Sequence, residues 1–247
     1  LAGGGAGSSN EDGSINTTTT TVNTTAGISI STYTGTGANE TIGHGLGAIP
    51  QMIIVKERSG EGGGGWHVYH SANTTSPETD YLLLDEAIAS TDSATVWNDT
   101  VPTSTVFSVG SQDDVNGSSD TYVVYCFANI EGFSHFGNYY GNGNASGAPA
   151  VCGFKPAYVM IKQADGTGDW VIYDSQRSPI NEMDDQLLAN EAAAETTGSD
   201  EIDFTAVGFQ IATTDSNVNT SGKNYIYAAF AEHPSGGGED VTPATTF

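Results

Sequence analysis

The chain has 247 residues, enough for one large core or two small ones, and 30 acidic against 6 basic side chains give it a formal charge of −24. Such a surface repels phosphate backbones and anionic bilayers. With no apolar run near the roughly 18 residues of a span, that excludes nucleic acid as a partner and insertion into a membrane. The acids are dispersed along the chain, and salt shortens their mutual repulsion to about 10 Å or less, so a saline, extracellular setting is expected.

Residues 1–29 are expected to form a flexible Gly/Thr-rich arm. LAGGGAGSSNEDG is small and polar, and SINTTTTTVNTTAGISIST behind it favours extended backbone because threonine is β-branched. The arm reads either as a linker or as a strand that pairs with a neighbouring sheet edge, such as that of another subunit. A chain that opens on Leu1, without a basic-then-apolar stretch, reads as processed or as continuing upstream.

Residues 30–133 read as a first β repeat, with short apolar runs at 52–56, 66–70, 81–84, 106–109 and 122–127. The run YVVYCF is apolar on both alternating faces, which predicts a central strand covered on two sides. Residues 134–234 read as a second β repeat with runs at 158–162, 170–173, 204–211 and 225–230, and residues 235–247 as a flexible acidic tail. Helix is scarce. Asp184–Glu195 (DDQLLANEAAAE) is the best helical segment, rich in helix formers and free of Gly and Pro. The fold expected is all-β: two tandem related units, sandwich or jelly-roll-like, with little helix.

The two repeats share a phrase. GLGAIPQMIIVK (45–56) returns as GFKPAYVMIK (153–162), and Tyr33-Thr34-Gly35 returns as Tyr139-Tyr140-Gly141. VNGSSDTYVVYCFA (115–128) returns as VNTSGKNYIYAAFA (218–231), and Trp66 matches Trp170. Landmarks kept in one order at a nearly constant offset point to tandem duplication of a small-domain unit.

No catalytic constellation emerges. Of the histidines His44, His67, His70, His135 and His233, none recurs at both matched positions, and His67 and His70 point to opposite faces of one strand. The acidic pairs Asp85-Glu86 and Asp184-Asp185 are the sort that a chain with so many acids contains anyway. Cys126 and Cys152 lack metal-site spacing; a disulfide between them stays open. Asp114-x-Asn116 and Asp215-x-Asn217-x-Asn219 present spaced oxygens like the opening of a calcium loop, but they precede a strand where a turn wants Asn and Ser, and no bidentate Glu follows. Turn chemistry is the stronger reading and calcium the weaker one. Tyr139, Tyr140 and Trp97 are aromatics that could stack on sugar rings, whereas the duplicated Trp66 and Trp170 read as core.

Taken together, TYTGTGANETIGHGLGAIPQMIIVK, YLLLD, VWND, TSTVFSVG and EGFSHFGNYYGNG, followed by GDWVIYDSQRSP and NYIYAAFAEHP, resemble a repeat domain of tail-associated proteins of marine bacteriophages. The resemblance spans about Ile28 to Pro234. It implies a virion structural role within fibre-like chains, and it brings no catalytic residues with it. Ser235-Gly236-Gly237-Gly238-Glu239-Asp240 departs from the Phe and basic residues that many relatives carry there. The expectation is a non-enzymatic subunit of a tail or fibre on the virion exterior, without cofactor. Its expected partners are copies of itself in a homo-oligomer, other virion proteins and a host-surface glycan or receptor. A capsid decoration protein, an extracellular filament subunit joined by its arm, and a glycan-binding module or glycan hydrolase are the rival expectations.

Overall fold

A computed structural model describes residues 6–60, 64–198 and 201–232. The fold is all-β, with antiparallel sheets and, among the described residues, three four-residue helices and one 3-10 turn. The first stretch of chain lays down β1 (Thr19–Asn23), β2 (Ile28–Thr34), β3 (Glu40–Gly43), β4 (Met52–Ser59), β5 (His67–His70), β6 (Asp80–Leu83) and β7 (Thr91–Asp92). Helix α1 (Ala94–Trp97), β8 (Val106–Val109), α2 (Asp113–Asn116) and β9 (Thr121–Phe127) follow. One sheet runs β1-β2-β9-β4-β5-β6-β7, and β3 pairs with β8 in a small second sheet.

The described residues after β9 follow a similar order. Strands β10 (Ser134–Tyr140), β11 (Pro149–Val151), β12 (Tyr158–Gln163), β13 (Trp170–Asp174), β14 (Leu187–Leu188), β15 (Ile202–Thr205) and β16 (Gly208–Ile211) precede α3 (Ser216–Asn219) and β17 (Asn224–Phe230). Their large sheet runs β10-β17-β12-β13-β14, which is β2-β9-β4-β5-β6 written again, and β11-β16-β15 forms the small sheet.

Three buried layers follow from strand alternation. In the first half Ile53, Val55, Tyr122, Val124 and Cys126 point toward the β3–β8 sheet, where Ile42, Phe107 and Val109 close a core. In the second half Val159, Ile161, Tyr225, Tyr227 and Ala229 meet Phe204, Phe209 and Ile211 in the same way. The opposite faces of both large sheets, with Met52, Ile54, Val68, Met160, Trp170, Ile226 and Ala228, pack against each other in a third cluster. The order is therefore small sheet, large sheet, large sheet, small sheet. Each central strand is covered twice, which is why β4, β9, β12 and β17 are written as near-continuous apolar runs. Burying a side chain such as Leu82 or Ile161 completely contributes roughly 1.5–3 kcal/mol.

Several expectations are corrected. The described part of the 1–29 arm is folded onto its own chain: β1 pairs with β2 from Thr19↔Thr32 to Asn23↔Ile28, Ser8 bridges Thr20, and Ile15 bridges Ile42. Ile15, Thr17 and Thr20 are buried there, and the Thr20 hydroxyl bonds that of Ser31 at 2.9 Å, so this strand is a fixed sheet edge rather than a free arm. Asp184–Glu195 forms no helix. Leu187 and Leu188 pair with Ile172 and Val171 at the exposed edge of β13, and Gln186 bridges Thr196. A short helix is marginal on its own, and an open sheet edge overrides its propensity. The single run expected at 204–211 is a hairpin, β15 to β16. Tail residues 235–247 lie outside the described residues.

Candidate functional site

The duplicated phrase builds two matching corners. The Tyr33 hydroxyl donates to Val115 O (2.5 Å), and the Tyr139 hydroxyl to Val218 O (2.7 Å). Tyr33 stacks on Tyr122 at 5.0 Å, and Tyr139 on Tyr225 at 5.2 Å. Burial holds the Tyr33 and Tyr139 phenols well above their ordinary pKa. The glycine that follows is fixed by sterics: a Cβ at Gly35 would run into Gly117 O, and one at Gly141 into Thr220 O.

Those corners use the residues that resembled a calcium loop. Asn116 accepts from Thr36 N–H (2.9 Å) and donates to Ala38 O and Gly110 O. Asn219 accepts from Asn142 N–H (2.9 Å) and donates to Asn144 O and Thr213 O. Both are fully buried, and their amides tie a loop to a helical turn. Asp215 caps α3 by accepting from Asn217 N–H (2.7 Å), Asn217 accepts from Asp169 N–H, and Asp114 accepts from the Gln112 amide. Each of the five is engaged in turn or loop closure. Among the described residues no group of three or more His, Cys, Asp or Glu is arranged to hold a metal.

The lysine that closes the phrase has a similar task. Lys162 is fully buried and donates to Gln163 O (2.7 Å) and Gly166 O (3.0 Å), and Lys56 donates to Gly64 O. Burial lowers the Lys162 pKa to about 8. These ammonium groups staple the turn after the strand through its carbonyls.

The seam between the halves carries the other buried polar groups. His70 Nε2–H donates to Tyr227 O (3.1 Å) while its Nδ1 accepts from Ala72 N–H (3.2 Å), a pattern that fits the neutral ring. Burial pushes its pKa down to about 4. The Trp170 indole donates to Leu83 O (2.8 Å), and the Asn224 amide to Ala72 O and Asn73 O. His67 lies tilted against the Tyr81 ring on the other face of β5, and His44 is held by Thr103 O; His233 lies outside the described residues. Cys126 and Cys152 are free, buried in separate cores and pushed up to about 12 and about 11 by burial. The separation rules out the disulfide that the sequence left open.

One buried network went unread in the sequence. Glu201 accepts from the Tyr173 hydroxyl and from the Gln186 amide (2.6 Å), with its pKa raised by burial. Its three members share no motif: Tyr173 belongs to the apolar run 170–173, Gln186 to the helix-like segment, and Glu201 carries no signal of its own.

The expected glycan contacts separate. Trp97 is 2% exposed, packed edge-on to Tyr69, with its indole donating to Asp80 O. Tyr139 is 5% exposed in the corner described above. Neither can stack on a sugar. Tyr140 is 62% exposed and lines a cleft of about 540 Å3 between the halves, with Asn138 and Asn224 on its side and Ser71–Thr75 and Ser90 opposite.

No helix among the described residues is long and apolar enough to cross a membrane. No curated protein and no solved structure matches the chain. A family model matches residues 2–234, spanning both halves and the seam that joins them. The chain belongs to that family, described as a domain of unknown function, DUF7483.

Proposed function

We propose that the chain is a non-enzymatic structural subunit that works as a rigid display scaffold, of the kind used in the tail or fibre of a marine phage. The supporting observation is the shared layer. Two large sheets bury their outer faces against each other, so the halves cannot shift independently without exposing Met52, Met160 and Trp170. Buried polar side chains serve to hold loops and strands: His70, Lys162 and Asn116 each satisfy backbone groups. In this reading the tandem units are two β-sandwiches fused back to back by duplication. The acidic exterior keeps copies soluble, and the subunit assembles with itself and with other virion proteins on the particle exterior. Image reconstruction of purified particles tests this: density for the four-layer body on the tail or fibre is expected, and its absence from the particle overturns the proposal. Filament assembly through an exchanged arm is the weaker alternative, because β1 would have to leave β2.

A further inference from the structure

The cleft between the halves has a composition of its own. Tyr140 is the one aromatic side chain among the described residues that is mostly exposed to solvent, and it shares a strand face with Asn138 on β10. Asn138 donates to Asn224 Oδ1 (2.8 Å), and Asn224 is anchored in turn to the backbone of Ala72 and Asn73 across the seam. Ring and amides are thus held on sheet strands rather than on loose loops.

The opposite wall supplies an independent observation. Asn73 is 2% exposed; its Nδ2 donates to Ser90 Oγ (2.7 Å), while its Oδ1 has no hydrogen-bond partner among the described residues. A buried acceptor left unpaired is unfavourable, and because this one is closed off from solvent a ligand hydroxyl pairs with it only where the wall opens beside Ser90.

The first half serves as an internal control. By position in the sequence repeat Tyr140 corresponds to Thr34, Asn138 to Thr32, Asn224 to Thr121 and Asp165 to Ser59. The corner residues are identical in the two copies at Tyr33/Tyr139, Gly35/Gly141 and Asn116/Asn219. The four cleft positions differ, and all four second-half members line the cleft. Its lining holds no Lys or Arg, and Asp165 at its edge pairs with Lys223 at 3.5 Å, so an anionic ligand is disfavoured. Hydroxyls, amides and one exposed ring suit a polyhydroxylated neutral ligand better than a lipid or a nucleotide. The volume of about 540 Å3 lies within the roughly 300–1,000 Å3 usual for small-ligand sites.

We infer that this inter-half cleft binds a neutral oligosaccharide, with a sugar face on Tyr140 and hydroxyls on Asn138. The inference stands whether or not the chain is part of a virion. An array of neutral oligosaccharides built from hexoses and N-acetylhexosamines, probed with the intact chain, identifies a ligand for calorimetric titration. Stacking on the ring sets the expected pattern: Tyr140→Ala weakens binding by about tenfold and Tyr140→Phe leaves it within about threefold. Circular dichroism confirms that both variants are folded. Failure to retain any neutral glycan, equal affinity of the Tyr140→Ala variant, or retention of peptides alone on a parallel array would overturn the assignment.

Discussion

Trp170 reaches across the seam to hydrogen-bond Leu83 O at 2.8 Å, so a core residue of the second half closes the third layer against the first. It is 1% exposed and sits among Met52, Val68, Leu82 and Ile226. Trp170→Phe keeps most of the volume and removes the indole donor, leaving a buried carbonyl unpaired; a loss of about 1–3 kcal/mol is expected. Trp170→Ala also opens a cavity, for a loss of roughly 3–5 kcal/mol. Guanidinium unfolding of the two variants checks both values and their order.

Asn116 and Asn219 give a paired test. Each amide satisfies three backbone groups in a fully buried corner, so Asn116→Ala and Asn219→Ala should each destabilise by about 1–3 kcal/mol or more. Added calcium should leave both values unchanged if the corners are turns. Thermal melts of each variant with and without calcium measure this; a calcium-dependent rise in the wild type that either variant abolishes would instead favour a bound ion.

Acid should destabilise the fold below about pH 6.5. His44, His67, His70 and His135 are all held below their ordinary pKa by burial. For such a base the unfolded chain takes up its proton first. The stability is therefore intact above the unfolded pKa of 6.5 and is lost as pH falls toward the folded value, about 4 for His70. His70 alone accounts for up to roughly 3 kcal/mol over that window. Glu201, with its raised pKa, works in the opposite sense, favouring the fold as it takes up a proton. Stability against pH for a His70→Gln variant should show a shallower acid limb than wild type; an identical slope contradicts the assignment.

The sequence made the strands legible for a physical reason. A strand buried on both faces must be apolar at both parities, so Met52–Val55 and Tyr122–Phe127 stand out without any knowledge of their partners. Partners and edges were not legible. Nothing in TTTVN says that it pairs with ISIST, and nothing in QLLAN says that β13 lies alongside. Within Tyr139-Tyr140 alternation already forbids both rings from facing outward, and the repeat decides which turns inward: Tyr139 matches the corner residue Tyr33, while Tyr140 matches Thr34. The cleft was legible only as a disagreement between copies.

The common layer is expected to make the two halves behave as one body. Pulse-labelling hydrogen exchange across a guanidinium titration, read at β9 and β17, tests this most directly. Loss of protection at Thr121–Phe127 and Asn224–Phe230 in a single step at one denaturant concentration is predicted. A range in which one strand is fully labelled while the other remains protected would contradict it.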